Sequence, residues 1–493
     1  MSAGDSGSTR RVEPRVPKGF QDFLPEAAAQ RQHLISTVRA AYDAHGFVPL
    51  FTPSVEMWES LVGSAGEEAN QSLFRVDCGE DEPLGLRFDL TVPLARVVAA
   101  NQQVLPRPFR RYQVGTVWRV DKPGPGRFRE FMQFDADIVG TTSPVADAEV
   151  VSALRDAIAA LVPSKDGRPR FRIRLSVRRL LDALVAFAGL DASRAPELLR
   201  AVDKLDRVGL DKVRLELTTG YVDESGDRIR GLGFEPAAVA SIASFLAVPS
   251  QGRLAVLADL RTFFGDDAKG NAALDAMAEM SELLEAFGVS EDEAMFDVAI
   301  ARGLAYYTGP VFEVALLEAP SFGSVGSGGR YDDLVGRFSG QPWPGVGVSC
   351  GIDRLLAALR HVGAAPAAHA AADVLVTIME PTRMREYGAM VMELRAAGLR
   401  AEIFTGTGAG FGKQVKYADK AGIPVVVIVG SDEFARGAVT IKQMKEPTFE
   451  SDVTREAWLA ARLGQQELPR TELVAGVKRA LESARGRSAL ARS

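Results

Sequence analysis

The segment Arg127-Phe128-Arg129-Glu130-Phe131-Met132-Gln133-Phe134-Asp135-Ala136-Asp137-Ile138 sets cations, an amide and carboxylates at alternate positions. Read as a strand, it sends successive side chains to opposite faces. Arg127, Arg129, Phe131, Gln133, Asp135 and Asp137 share one parity; Phe128, Met132, Phe134, Ala136 and Ile138 share the other. The second set suits a core. The first is polar over ~30 Å at roughly 3.3 Å per residue. Taken alone, such a face is a solvated sheet surface. Two neighbouring segments repeat it: Arg111, Gln113 and Arg119 on the strand-like stretch 109–120, and Arg87, Asp89 and Thr91 on 84–92. Three strands that pool these groups on one face can grip a zwitterion and a phosphate together. Arginine suits the phosphate, because its planar fork donates bidentate bonds.

Three further stretches could close such a site. Arg302-Gly303-Leu304-Ala305-Tyr306-Tyr307-Thr308-Gly309 brings an arginine and two tyrosines into a glycine-punctuated turn, which by itself also reads as an edge turn with core aromatics. Gly323–Asp332 is a glycine-rich loop where backbone comes close to something. Gly345-Val346-Gly347-Val348-Ser349-Cys350-Gly351-Ile352-Asp353-Arg354-Leu355 is a small-residue strand running into a helix, with Arg354 in the first turn. A cation there opposes the helix dipole, so it serves a bound anion better than it serves the helix. The glycines let a flat group lie against the strand.

The elements that must hold these residues follow from period and punctuation. A helical pattern (Leu34, Ile35, Val38, Tyr42) runs to His45-Gly46, and a short strand follows at 47–50. The stretches 109–120 and 126–139 form a hairpin across Asp121–Gly126. Residues 145–162 make an amphipathic helix. From about 178 to 290 the pattern is mainly helical and looks inserted, because strand-like sequence resumes at 296–315 and 325–350. After the low-complexity stretch Ala364–Ala372, strands at 373–379, 400–405, 424–430 and 438–444 alternate with helices near 382–397 and 411–421, implying a compact α/β domain. The expected organisation is a disordered tail (1–16), a core in two pieces (17–165 and 286–362), a mainly helical insertion (166–285), a linker (363–372), an α/β domain (373–470) and a basic tail (471–493). The fold class is α+β.

Composition narrows the field. The chain has 493 residues, 46% hydrophobic and 25% charged, an average globular balance that excludes a disordered chain, a collagen and a disulfide scaffold. Net charge is −6, from 58 basic and 64 acidic residues, so nonspecific nucleic-acid binding is not written into the whole. The two cysteines, Cys78 and Cys350, sit in no CxxC pair, which argues against a zinc site and suits a reducing, cytoplasmic compartment. No run approaches the ~18 apolar residues of a membrane span.

The C-terminal stretch Gly406-Thr407-Gly408-Ala409-Gly410-Phe411-Gly412-Lys413-Gln414 follows a strand and precedes a helix, and it imitates a phosphate loop. It fails as one: Thr407 and Gln414 stand where that motif requires Gly and Ser/Thr. A plain strand-to-helix turn and an RNA contact remain. For RNA, Lys413, Lys416 and Lys420 recur at helix spacing beside Tyr417.

Together these segments resemble class II aminoacyl-tRNA synthetases, and most closely the histidyl-tRNA synthetase family. LRFDLTVPLAR (86–96), VWRVDKPGPGRFREFMQFDADIVG (117–140), ARGLAYYTG (301–309), GGRYDDL (328–334) and GVGVSCGIDRL (345–355) carry the resemblance, with VDKLDRVG (202–209) and 412–424, over about residues 17 to 450. It implies a class II catalytic core (an antiparallel sheet flanked by helices) with a helical insertion and a C-terminal α/β anticodon-binding domain. It also implies ATP-dependent ligation of L-histidine to tRNA-His via a histidyl-adenylate, in a homodimer. By matching position, Asp89, Thr91 and Gln133 would hold the α-amino group, with Leu90 also counted among the histidine-binding residues. Asp137 and Tyr307 would take the imidazole, with Tyr306 and Tyr331 shaping its pocket. Arg119 and Arg302 would be catalytic, contacting the carboxylate and the α-phosphate. Phe131 and Arg354 would sandwich adenine, and Arg127 would reach the outer phosphates. Lys413, Gln414, Lys416, Tyr417 and Lys420 become the anticodon candidates. Mg2+ would accompany ATP, with no zinc and no organic cofactor. Ala305, Asp121 and Asp89 depart from the family's usual residues. Two rivals remain: a catalytically silent paralogue that regulates histidine biosynthesis, and a synthetase for another amino acid such as proline, threonine or glycine.

Overall fold

The computed structural model describes residues 12–63, 72–79, 81–224, 226–300, 307–366, 371–407, 410–444 and 464–490. The chain divides into two compact units, one ending at Pro366 and one beginning at Ala367.

The first unit is built on an eight-stranded sheet. Its order is Val48–Pro49, Phe109–Trp118, Glu130–Val139, Gly345–Gly351, Ser324–Tyr331, Pro310–Leu316, Phe171–Val177 and Ala294–Phe296. The two outer pairings are parallel and the rest antiparallel. The expected hairpin is present, with Arg111 opposite Asp137, Gln113 opposite Asp135 and Gly115 opposite Gln133. This register fixes the faces, because a one-residue slip would invert every side chain.

The apolar parity faces helices. Phe134, Ala136 and Ile138 pack with Tyr112 against Leu34, Val38 and Tyr42 of the helix Pro25–Ala44 and Val150, Leu154 and Ile158 of Pro144–Leu161. The Tyr42 and Phe134 rings meet edge-on at 5.3 Å. Ser143 starts the second helix by accepting from Val145 N at 3.3 Å, with Pro144 in the first turn, where its missing N–H is harmless. Burying a ring such as Phe134 is worth about 1.5–3 kcal/mol, so the core anchors the polar face behind it.

Two expectations need correction. The strand read over 84–92 ends at Leu86, and Thr91–Ala100 is a helix. The Asp89 carboxylate accepts from Val92 N at 3.0 Å, and Pro93 fits the first turn, so local capping overrides the alternating pattern. Residues 171–177, assigned to the insertion, form a central-sheet strand between Pro310–Leu316 and Ala294–Phe296. The helices follow it, from Arg178–Phe187 to Ala268–Ala286, with one small ribbon at Gly220–Val222 and Arg228–Arg230.

The second unit has a five-stranded sheet ordered Ala401–Ile403, Val374–Val376, Val425–Ile428, Ala438–Gln443, Gln465–Pro469. The β/α alternation read from the sequence is there. The basic, helical tail expected beyond residue 470 is the helix Leu473–Leu490, but it is part of the domain rather than a tail, since Leu473, Val477 and Leu481 are buried in this unit's core. No described helix is long and apolar enough to cross a membrane.

Candidate active site

The polar face of the first sheet opens into a cavity of about 370 Å³. Asp89, Thr91, Arg119, Arg127, Phe131, Gln133, Tyr307 and Arg354 all line it, so eight of the expected residues share one space. Asp121, Asp135, Glu313, Ser327 and Ser349 line it too.

Under the wall lies a buried cluster. Asp137 Oδ2 is 2.8 Å from Arg111 Nη2, at an angle that makes the contact an ion pair rather than a hydrogen bond. Tyr331 Oη donates to Asp137 Oδ1 at 2.6 Å. The three residues are 2%, 0% and 1% exposed in the order Asp137, Arg111 and Tyr331. Burial raises the Asp137 carboxyl above its ordinary value, with Arg111 and Tyr331 pulling it back. Burial also drives the Tyr331 phenol well up, and Asp137 adds to that. Arg111 Nη2 is in turn held by the Leu90 carbonyl at 3.1 Å. Leu90 therefore acts through its main chain, its side chain being buried. A Cβ at Gly347, the cross-strand neighbour of Asp137, would stand 2.0 Å from Asp137 Oδ1. The glycine strand thus leaves the room that the carboxylate fills.

Toward the cavity, Gln133 Nε2 donates to Ser349 Oγ at 2.9 Å, and the Ser349 hydroxyl bonds Asp135. Asp135 is 2% exposed, and burial pushes its carboxyl up to about 7. Arg111 and Ser349 oppose that rise; Asp137 and Asp89 add to it. Asp89 sits before the helix Thr91–Ala100, which places Thr91 at the cavity. Gly329 lies 2.8 Å, measured from an added Cβ, from the Tyr307 ring, so the aromatic rests against bare backbone.

At the other end, Arg119 Nε donates to the Phe88 carbonyl at 3.0 Å and its guanidinium stands 5.3 Å over the Phe131 ring. Arg354 donates to the carbonyls of Ser324 at 2.9 Å and Gly126 at 3.3 Å, tying the hairpin loop to the helix Ile352–His361. The neighbouring Asp353 accepts from Met132 N at 2.7 Å and pairs with Arg31 at 2.9 Å.

Not every expected residue reaches the cavity. Asp137, Tyr331 and Leu90 are buried beside it, and Arg302 and Tyr306 lie outside the described residues. Arg87 points to main chain, donating to Thr116 O and Thr52 O at 2.9 Å each. Asp135 was on the polar parity but had no role. Glu313 alternates on Pro310–Leu316, and nothing in its spacing marked it. Among the described residues, no group of three His, Cys, Asp or Glu could hold a metal ion.

In the C-terminal unit the helix Phe411–Lys420 exposes Lys413, Lys416, Tyr417 and Lys420. Gln414 is a correction: it is buried, accepts from Ile378 N at 2.9 Å and donates to Ile378 O at 2.7 Å, which ties the helix to the chain after the strand Val374–Val376. Tyr417 donates its hydroxyl to Glu402 and packs edge-on against Phe404 at 5.6 Å.

This architecture has counterparts. The family model described as histidyl-tRNA synthetase matches residues 19–355, and one described as an anticodon binding domain matches 373–479. A histidine–tRNA ligase of Caulobacter vibrioides is 41% identical over 95% of this chain and 97% of its own. That of Paracoccus denitrificans is 42% identical over 97% of this chain and 100% of its own. The crystal structure of histidyl-tRNA synthetase from Nostoc sp. PCC 7120 is 30% identical, covers 95% of this chain and 100% of that one, and superposes with a TM-score of 0.77.

Proposed function

The chain belongs to the histidyl-tRNA synthetase family, and on that premise we propose how its residues divide the work of the reaction. It ligates L-histidine to tRNA-His with ATP, through a histidyl-adenylate. A carboxylate oxygen of histidine attacks the α-phosphorus in line, the bond to the pyrophosphate oxygen breaks, and the adenylate remains. The terminal adenosine of tRNA then takes the histidyl group and AMP leaves.

Such a displacement needs positioning and cations more than a protein nucleophile. In our reading, Asp89, Thr91 and Gln133 receive the α-ammonium, and Asp137 with Tyr307 takes the imidazole. Tyr306 and Tyr331 bound that end, with Leu90 fixing Arg111 from its carbonyl. Arg119 and Arg302 neutralise charge on the carboxylate and α-phosphate. Adenine stacks between Phe131 and Arg354, using the ring face that Arg119 leaves, and Arg127 reaches the outer phosphates. We assign Mg2+ to the ATP substrate, because the chain offers no three-ligand cluster of its own among the described residues. Its role is to share the phosphate charge.

The observation that carries this reading is the single cavity joining Asp89, Gln133 and Tyr307 to Arg119, Phe131 and Arg354. The surface lysines 413, 416 and 420 are assigned to tRNA. A homodimer is part of the reading, supported by the apolar Val48 and Phe51, 49% and 78% exposed at the sheet's edge. So is a cytoplasmic setting, supported by two free cysteines.

The deciding experiment is amino-acid-dependent pyrophosphate exchange across a panel including proline, threonine and glycine, followed by charging of tRNA-His transcripts with and without an extra 5′ guanosine. Exchange with histidine alone is expected. A silent regulatory paralogue would show none, and exchange with another amino acid would overturn the imidazole assignment.

A further inference from the structure

Asp121, Asp135 and Glu313 are carboxylates on the cavity wall that the reaction above leaves unused, and of these Asp135 is the buried one. Three observations single it out. It lines the cavity while being 2% exposed. Its Oδ1 has no hydrogen-bond partner among the described residues. It sits between Gln133 and Asp137 on one parity of Glu130–Val139, opposite Ser349 on one neighbouring strand and Gln113 on the other. A buried carboxylate oxygen without a donor is costly, and native proteins almost always supply one. The Ser349 hydroxyl already links this carboxylate to Gln133, so the amide and the acid are oriented together.

We propose that Asp135 is a substrate-binding residue that receives the α-ammonium of the amino-acid substrate on its open oxygen. The inference rests on the reading of the cavity as the histidine site and deepens it. The cationic end of the substrate then meets Asp89, Thr91, Gln133 and Asp135, while Asp137, positioned by Arg111 and Tyr331, is left for the imidazole. Other groups face Asp135 from every side. Arg111 and Arg87 are the cations; Asp137 and Asp89 are the carboxylates; Cys350 and Tyr42 are the weak acids behind the strand. An ammonium arriving beside Asp135 favours the charged form of its carboxyl, which burial in the empty site disfavours.

The test uses three ligands of the full-length enzyme. Histidine has both the ammonium and the carboxylate. Histidinol keeps the ammonium and lacks the carboxylate. Imidazolepropionate lacks the ammonium. Inhibition constants for the two analogues and KM for histidine and ATP are measured in pyrophosphate exchange for wild type and Asp135→Asn. Histidine and histidinol should weaken by about tenfold or more, the loss expected when a charged hydrogen bond is removed, while imidazolepropionate and ATP change less than about twofold. Equal weakening of both analogues, or no weakening of histidinol, overturns the proposal. If the wild type shows no histidine-dependent exchange, the wider site assignment fails instead. Should the variant not fold, the wild-type enzyme gives the answer. The preference for histidinol over imidazolepropionate should increase as pH rises through about 7, where the acid ionises, and a flat preference overturns the proposal.

Discussion

Asp137 and Arg111 form an ion pair at 2.8 Å in which neither partner meets water, and Tyr331 closes the other carboxylate oxygen at 2.6 Å. The pair lies behind the wall of a cavity whose opposite end carries Arg119 and Arg354. A buried pair of this kind is weak evidence for stability, because the desolvation it undergoes rivals its attraction. Its value lies in holding one acceptor in one place.

Asp137→Ala should therefore have two effects. It leaves the Arg111 guanidinium uncompensated, at a cost of about 3–5 kcal/mol, readable by urea unfolding. It should also raise the histidine KM by about 10–100-fold with little change for ATP. Equal losses for both substrates would contradict the assignment.

Gly347→Ala tests the same acceptor from the opposite strand. The new methyl would stand 2.0 Å from Asp137 Oδ1 and 3.2 Å from the Ala136 carbonyl. Overpacking of this kind costs about 1–3 kcal/mol, and the displaced carboxylate should again weaken histidine more than ATP. A variant with unchanged histidine KM would mean that Asp137 does not touch substrate.

Arg302→Ala should lower the rate of adenylate formation by about 10²–10³-fold, the usual loss for one donor to developing charge, while histidine affinity moves little. Near-normal single-turnover rates would remove Arg302 from the chemistry.

The raised carboxyl of Asp135 makes a pH prediction with a definite sign. Its folded value, about 7, lies above the ordinary 3.8, so the folded state binds the extra proton. Stability from this group is present near pH 4 and is lost as pH rises through about 7. Asp147, pushed up to about 6 by burial, acts in the same direction over a narrower window. Compared with wild type, Asp135→Asn should gain relative stability between pH 5 and 8, followed by thermal midpoints. Parallel curves for the two proteins would show that Asp135 does not titrate there.

In the C-terminal unit, Gln414→Ala should destabilise by about 1–3 kcal/mol, since it strands both main-chain groups of Ile378. Replacing Lys413, Lys416 and Lys420 by Ala should stay within about 0.5 kcal/mol. It should weaken tRNA charging and flatten its salt dependence, whereas pyrophosphate exchange needs no tRNA. The opposite pattern would exchange the roles assigned to the two faces of this helix.

Much of the site was readable in the sequence for one physical reason. Strand parity survives translation into three dimensions, so Gln133, Asp135 and Asp137 had to share a face once Phe134, Ala136 and Ile138 took the core. Position 84–92 misled because alternation there was accidental. A carboxylate at Asp89 and a proline at 93 start a helix, and capping is decided by a single hydrogen bond that periodicity does not see. Gln414 was grouped with lysines one and two positions away. Its partner on the buried stripe is Ala418, four residues on, and that spacing was present to be read. Glu313 gave no signal, since an alternating carboxylate on a strand is ordinary until its neighbours are known.

Asp353 and Arg354 are adjacent, and their side chains go different ways: the first grips the amide of Met132 and the guanidinium of Arg31, the second borders the cavity. One helical turn is thereby bolted to the very strand that carries Gln133 and Asp137. On the proposed assignment, the stride between an amino acid's carboxylate and a nucleotide's first phosphorus is consequently a dimension of the scaffold itself, set before either reactant arrives.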